Sequence, residues 1–66
     1  MQAGKVKKLV RDKWFGFIKV DSGHEYFFHK SDFMGDWEAL SEGDDVRFIS
    51  KSTPKGPRAS NVELGK

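Results

Sequence analysis

Residues 13–20 read KWFGFIKV, and this stretch decides how the rest of the chain is arranged. A half-buried strand alternates apolar and polar side chains with a period of two. Here alternation places Phe15 and Phe17 on one face and Trp14, Gly16, Ile18 and Val20 on the other, so both faces carry large apolar groups. Residues 25–30, EYFFHK, repeat the pattern, with Phe27 and His29 on one face and Tyr26 and Phe28 on the other. Ile18 and Val20 are ordinary core residues, so their face, joined by Tyr26 and Phe28, is read as the inside. Phe15, Phe17, Phe27 and His29 then stand together on the outside of neighbouring strands. Leaving one Phe exposed forgoes about 1.5–3 kcal/mol of burial, so three together require a reason.

Around this pair of strands the chain is punctuated by polar turns at RD (11–12), DSGHE (21–25), GDWEALSEGDD (35–45) and STPKGP (52–57). Between them lie five short runs rich in Val, Ile, Phe or Tyr: Lys5–Val10, Lys13–Val20, Glu25–His29, Asp45–Ser50 and Arg58–Leu64. Five short strands with turn signals between them read as a sandwich or barrel. DSG suits a hairpin turn between the second and third strands. Only KSDF and DWEAL could hold a helical turn, and neither is long enough to be stable alone. Closing the sheet removes its open edges, so the expected fold is a single all-β domain over residues 1–66, a small five-stranded barrel.

The chain has 66 residues and no cysteine, which excludes disulfides and thiolate sites. A domain this small buries only about 60% of its extended surface. No apolar run approaches the ~20 residues of a membrane span, and the basic start has no apolar stretch of a signal peptide. A soluble, cytoplasmic protein without membrane association is expected. Net charge is only +2, but it is unevenly spread. Residues 1–33 hold seven basic and four acidic groups, residues 34–46 five acidic and no basic ones, and residues 47–66 five basic and one acidic. A basic face and an acidic back are compatible with that order, as is a solvated surface of scattered charges.

An enzyme is not expected: two histidines, no cysteine and no triad-like spacing leave little to do chemistry with. HE at 24–25 lacks the second histidine of a zinc helix, and His24 and His29 have no third ligand spaced to help. No metal or other cofactor is expected. A flat aromatic platform rimmed by Lys7, Lys8, Lys13 and Arg58 suits stacked bases and their phosphates, since stacking contributes about 1–3 kcal/mol per base and every base has a π-face. The alternatives are burial of the same rings in a homodimer or against a protein partner, as in an adaptor barrel.

KWFGFI followed by FFH at 27–29 resembles the paired nucleic-acid-binding motifs of the cold-shock domain, K-G-F-G-F-I and V-F-V-H. GKVK at 4–7, DSG at 21–23, HKS at 29–31, LSEGDDVRF at 40–48 and KGPRASNV at 55–62 extend the resemblance along practically the whole chain. It implies an oligonucleotide-binding (OB-fold) barrel of five antiparallel strands that binds single-stranded RNA or DNA with little sequence preference. It also implies an RNA chaperone or a regulator of transcription or translation, and a monomer or a weak homodimer is expected. By position, Phe15, Phe17, Phe27 and His29 would stack on bases, and Lys7, Lys13 and Arg58 would lie near the nucleic-acid backbone. Trp37 falls where the family often carries Phe or Tyr in a long loop, and would be either a further stacking ring or a staple for that loop.

Three positions depart from the family pattern. Its first strand reads K-W-F-N, whereas here Lys7, Lys8, Leu9 and Val10 match, so Lys8 replaces a tryptophan. The first glycine of K-G-F-G-F-I is Trp14, and the residue after the motif histidine, often aromatic, is Lys30. Two rings have been exchanged for two ammonium groups, which implies weaker stacking and steeper salt dependence. Trp14 could restore a stacking surface or close the barrel end near Leu9 or Tyr26.

Overall fold

A computed structural model describes residues 1–65. Its strands are β1 (Gln2–Val10), β2 (Phe15–Lys19), β3 (Glu25–His29), β4 (Asp45–Thr53) and β5 (Gly56–Leu64), closed into a barrel in the order β1-β2-β3-β5-β4. Three single 3-10 turns interrupt them, at Arg11–Lys13, Lys30–Asp32 and Trp37–Ala39. The last two fall within KSDF and DWEAL, the segments expected to hold a turn. The first includes the polar RD at 11–12, where the sequence signals only a turn.

One expectation about the barrel needs correction. Its strands are not all antiparallel: β3 and β5 run parallel, paired at Phe27 and Arg58. The reason is parity. Five strands cannot alternate in direction all the way round a closed ring, so one seam must join strands of the same sense. β1, β4 and β5 are also longer than their apolar runs, and β4 and β5 extend to a tight turn at Pro54–Lys55.

The inward face is the one that alternation identifies. Ile18 and Phe28 are fully buried, with Val6, Val46, Phe48 and Val62 packed in the same cluster. Each such large side chain contributes about 1.5–3 kcal/mol by leaving water. Tyr26 packs its ring 5.0 Å from that of Phe48, and Leu9 and Val20 fill the periphery. Position 16 is buried and takes glycine because a Cβ there would lie 2.7 Å from the carbonyl oxygen of Lys8 and 2.9 Å from the Phe28 ring.

Two irregularities bend the sheet enough to close. In β1, Val6 pairs with Ile18 but Lys8 pairs with Phe17, so Lys7 is an extra residue. In β5, an extra residue near Asn61 (φ 50°) does the same, Asn being among the few residues that tolerate this left-handed conformation. Beyond Lys5, β1 no longer pairs with β4, and the acidic loop takes over its edge. Val6 N–H donates to the Asp44 carbonyl at 3.0 Å, Gly43 N–H to the Val6 carbonyl at 2.7 Å, and Leu9 N–H to the Glu42 carboxylate at 3.0 Å.

Candidate nucleic-acid interface

Residues paired across a ladder share a face, so register gives the outer surface row by row. Lys8 pairs with Phe17, Phe17 with Phe27, Phe27 with Arg58, and Arg58 with Lys51. A single transverse row therefore reads Lys8–Phe17–Phe27–Arg58–Lys51, two rings with cations on either side. The Lys7 bulge makes this possible, because without it Lys8 would share the inward face of Val6. The adjacent row is Val10–Phe15–His29. On the other side Lys19 pairs with Glu25, and Glu25 binds the Lys7 ammonium.

Phe15, Phe17 and Phe27 are half-buried, each partly shielded by the other two. Their centroids lie 5.5 Å apart for Phe15–Phe27, 5.8 Å for Phe15–Phe17 and 5.9 Å for Phe17–Phe27. The expected flat platform needs correction. Phe17 stands at 87° to Phe15 and 69° to Phe27, while Phe15 and Phe27 are tilted by 34°. Ring quadrupoles favour such edge-to-face contacts at these distances. The cluster thus pairs two similarly inclined rings with a third that meets them edge-on.

Asp32 organises the rim. Its Oδ2 accepts from Arg58 Nε at 3.1 Å and Nη2 at 2.8 Å, and from the His29 backbone N–H at 3.0 Å. Arg58 is thereby held with its guanidinium carbon 5.7 Å from the Phe27 ring centroid. His29 caps the same turn: its Nδ1 accepts from Ser31 N–H at 3.1 Å. That bond fixes Nδ1 as an acceptor, so the neutral ring carries its proton on Nε2. A groove beside these groups is lined by Phe17, Phe27, Thr53, Lys55, Pro57 and Arg58. Asp32, Ser31 and Lys51 were not among the sequence candidates, and Lys51 joins the face only through the β4–β5 register.

The other sequence candidates divide. Lys8 and Lys13 are exposed, and among the described residues neither forms an ion pair, whereas Lys7 is held by Glu25. Trp14 is 45% exposed and so does not close the barrel end; Lys30 Nζ sits 4.4 Å from its ring centroid. Trp37 is the correction. It is only 3% exposed, packed edge-on to Phe28 and Phe33 with centroids 6.0 and 6.5 Å away, and acts as a staple. Arg11 secures it by donating to the carbonyls of Trp37 (3.2 Å) and Leu40. Among the described residues no group of three or more His, Asp or Glu side chains could hold a metal ion.

Comparison with known proteins bears on the fold and the family. The family model described as 'Cold-shock' DNA-binding domain matches residues 2–64. The chain is 44% identical over 63 residues to the cold shock-like protein CspD of Bacillus cereus and to the cold shock protein CspD of Bacillus subtilis, covering 94% of this chain and 96% of each relative. It is 40% identical over 63 residues to the cold shock protein CspB of Geobacillus stearothermophilus, with the same coverage. Among solved structures, Drosophila Unr CSD456 superposes with a TM-score of 0.81 at 18% identity. That match covers 98% of this chain and 26% of the larger one, and shows the shared fold. With a family match along nearly its whole length and the barrel to go with it, the chain belongs to the cold-shock domain family.

Proposed function

We propose that this protein binds single-stranded RNA or DNA on the outer face of β1–β3 and β5, with little sequence preference, and acts as an RNA chaperone or a regulator of transcription or translation. The observation that carries the reading is the row Lys8–Phe17–Phe27–Arg58–Lys51. Rings offer π-faces to successive bases, and cations on both flanks meet the phosphates that run beside them. Phe15 and Phe27 supply the most nearly parallel faces, Phe17 the wedge between them, and the His29 Nε2–H a donor toward a base edge or phosphate. Lys13 adds charge where β2 begins.

Holding bases on rings competes with intramolecular pairing, so weak hairpins melt without nucleotide hydrolysis. The reading includes a cytoplasmic monomer whose modest affinity allows quick release. Its test is a titration of single-stranded and duplex oligonucleotides with the wild type and the Phe17→Ala/Phe27→Ala double variant. Single strands bind in preference to duplex, and the double variant loses about 1–3 kcal/mol per ring removed. Equal affinity for duplex, or an unaffected double variant, defeats the proposal. A fluorophore–quencher hairpin that opens on adding the protein reports the chaperone step.

A further inference from the structure

Trp14 occupies a conformation that suits another residue. It follows the 3-10 turn Arg11–Lys13 with φ 65° and ψ 32°, in the left-handed region. For an L-residue other than Gly, Asn or Asp that costs about 1–2 kcal/mol. Trp14 is 45% exposed, among the large hydrophobic side chains left open to solvent. Its backbone is nonetheless held firmly: Trp14 N–H donates to the Arg11 carbonyl at 3.2 Å, and the Trp14 carbonyl accepts from Lys30 N–H at 2.7 Å. The side chain of the same Lys30 places its ammonium 4.4 Å from the indole centroid. A large ring is thus left partly open to water, on a left-handed and well-anchored backbone, immediately before Phe15.

We propose that Trp14 is an additional station for an unpaired nucleobase at the end of the aromatic cluster, covered by the Lys30 ammonium in the free protein. The idea rests on the nucleic-acid reading above and adds a subsite to it. Strain retained at an exposed position is expected where the side chain has work outside the fold. Indole is a large, flat stacking partner, and an ammonium resting on it is already placed to meet the phosphate next to an arriving base. On binding, the base takes the ring and Lys30 turns to the phosphate. The stacking surface that Lys8 removes from β1 is thereby supplied from the β1–β2 turn, so the bound strand reaches past Phe15 toward that turn.

The chain has two tryptophans and Trp37 is 3% exposed, so solvent-accessible emission reports Trp14. The probe is a series of oligothymidylates spanning roughly 4–16 nucleotides, the range of site sizes for one such barrel. Binding to the wild type quenches the accessible emission and protects it from iodide. Trp14→Gly and Trp14→Asn, which both fit the left-handed backbone, lose about 5- to 150-fold in affinity without a fall in melting temperature. Lys30→Gln keeps the quenching and lowers the salt slope by about 0.7. If oligonucleotide binds the wild type tightly while emission and the affinities of both Trp14 variants stay unchanged, the subsite is refuted and the nucleic-acid reading stands. If the wild type binds no oligonucleotide, both fall. Protection of Trp14 that depends on protein concentration alone assigns the ring to a second copy of the chain and overturns the subsite.

Discussion

Arg58 and Asp32 lie 26 residues apart in sequence and share one carboxylate oxygen by two guanidinium bonds, at 3.1 and 2.8 Å. The same oxygen accepts the His29 N–H, so a single acid orders the cation beside Phe27 and caps the turn that carries His29. A carboxylate at a nucleic-acid face would ordinarily oppose binding. Here its charge is committed to the protein's own donors.

Removing that acid tests whether order outweighs charge. Asp32→Ala loses a capping interaction, with an expected loss of about 0.5–2 kcal/mol of stability. Although the variant gains a net positive charge, its affinity for single strands falls, because Arg58 and His29 are no longer held in place. Urea denaturation and oligonucleotide titration at one salt concentration check both. An affinity that rises would mean that Asp32 acts only as an electrostatic brake.

Lys8 makes a prediction of opposite character. It stands opposite Phe17 at the margin of the cluster. Lys8→Trp adds a ring there and should strengthen binding by about 1–3 kcal/mol, while the slope of log K against log salt becomes shallower by about 0.7. Lys8→Gln shows the same shallower slope with weaker binding. Dissociation constants at several salt concentrations separate the two effects. A slope that Lys8→Gln does not alter removes Lys8 from the phosphate path.

What the sequence made visible was the part governed by period two. Phe15, Phe17 and Phe27 fall outward and Ile18 and Phe28 inward because ladder partners must share a face. The inserted Lys7, which turns Lys8 outward, leaves no mark in that alternation. Neither does the left-handed backbone at Trp14, since a tryptophan argues against it. The Arg58–Asp32 pair joins distant segments, and Trp37 sits in a loop with no period to say which way it faces. The parallel β3–β5 seam was missed, although it follows from closing a ring of five strands.

Glu25 shares the outer face with Phe27, and its pair with Lys7 makes a pH prediction. The hydrogen bond from the Lys7 side chain holds the Glu25 carboxyl below its ordinary 4.5. A depressed carboxylate stabilises the fold above the unfolded value and loses that contribution as pH falls through the folded one. At the other margin of β1, the hydrogen bond to Asp45 raises Lys5 above its ordinary 10.5. That contribution is complete below 10.5 and disappears as pH climbs through the raised value. The melting difference between wild type and Glu25→Gln should therefore be constant near neutrality and vanish in acid below 4.5. Freed of its partner, Lys7 should also tighten single-strand binding and steepen the salt slope by up to about 0.7. Melting curves across pH and salt titrations of the variant check the two halves independently.

Gly16 lies directly beneath the aromatic cluster, and its requirement is space. A methyl group there would meet the Lys8 carbonyl oxygen at 2.7 Å and the Phe28 ring at 2.9 and 3.1 Å, and neither neighbour is a flexible chain end. Relief requires β1 to move away from β2 or Phe28 to leave its place in the core, where it is fully buried. Overpacking of this kind costs about 1–3 kcal/mol, a large share of the stability of so small a domain. Separation of β1 from β2 would also carry Lys8 away from Phe17. Gly16→Ala should thus lower the denaturation midpoint and, at temperatures where it remains folded, bind single strands more weakly with a shallower salt slope. If the variant is as stable as the wild type, the close β1–β2 contact at this point is wrong, and with it the juxtaposition of Lys8 and Phe17.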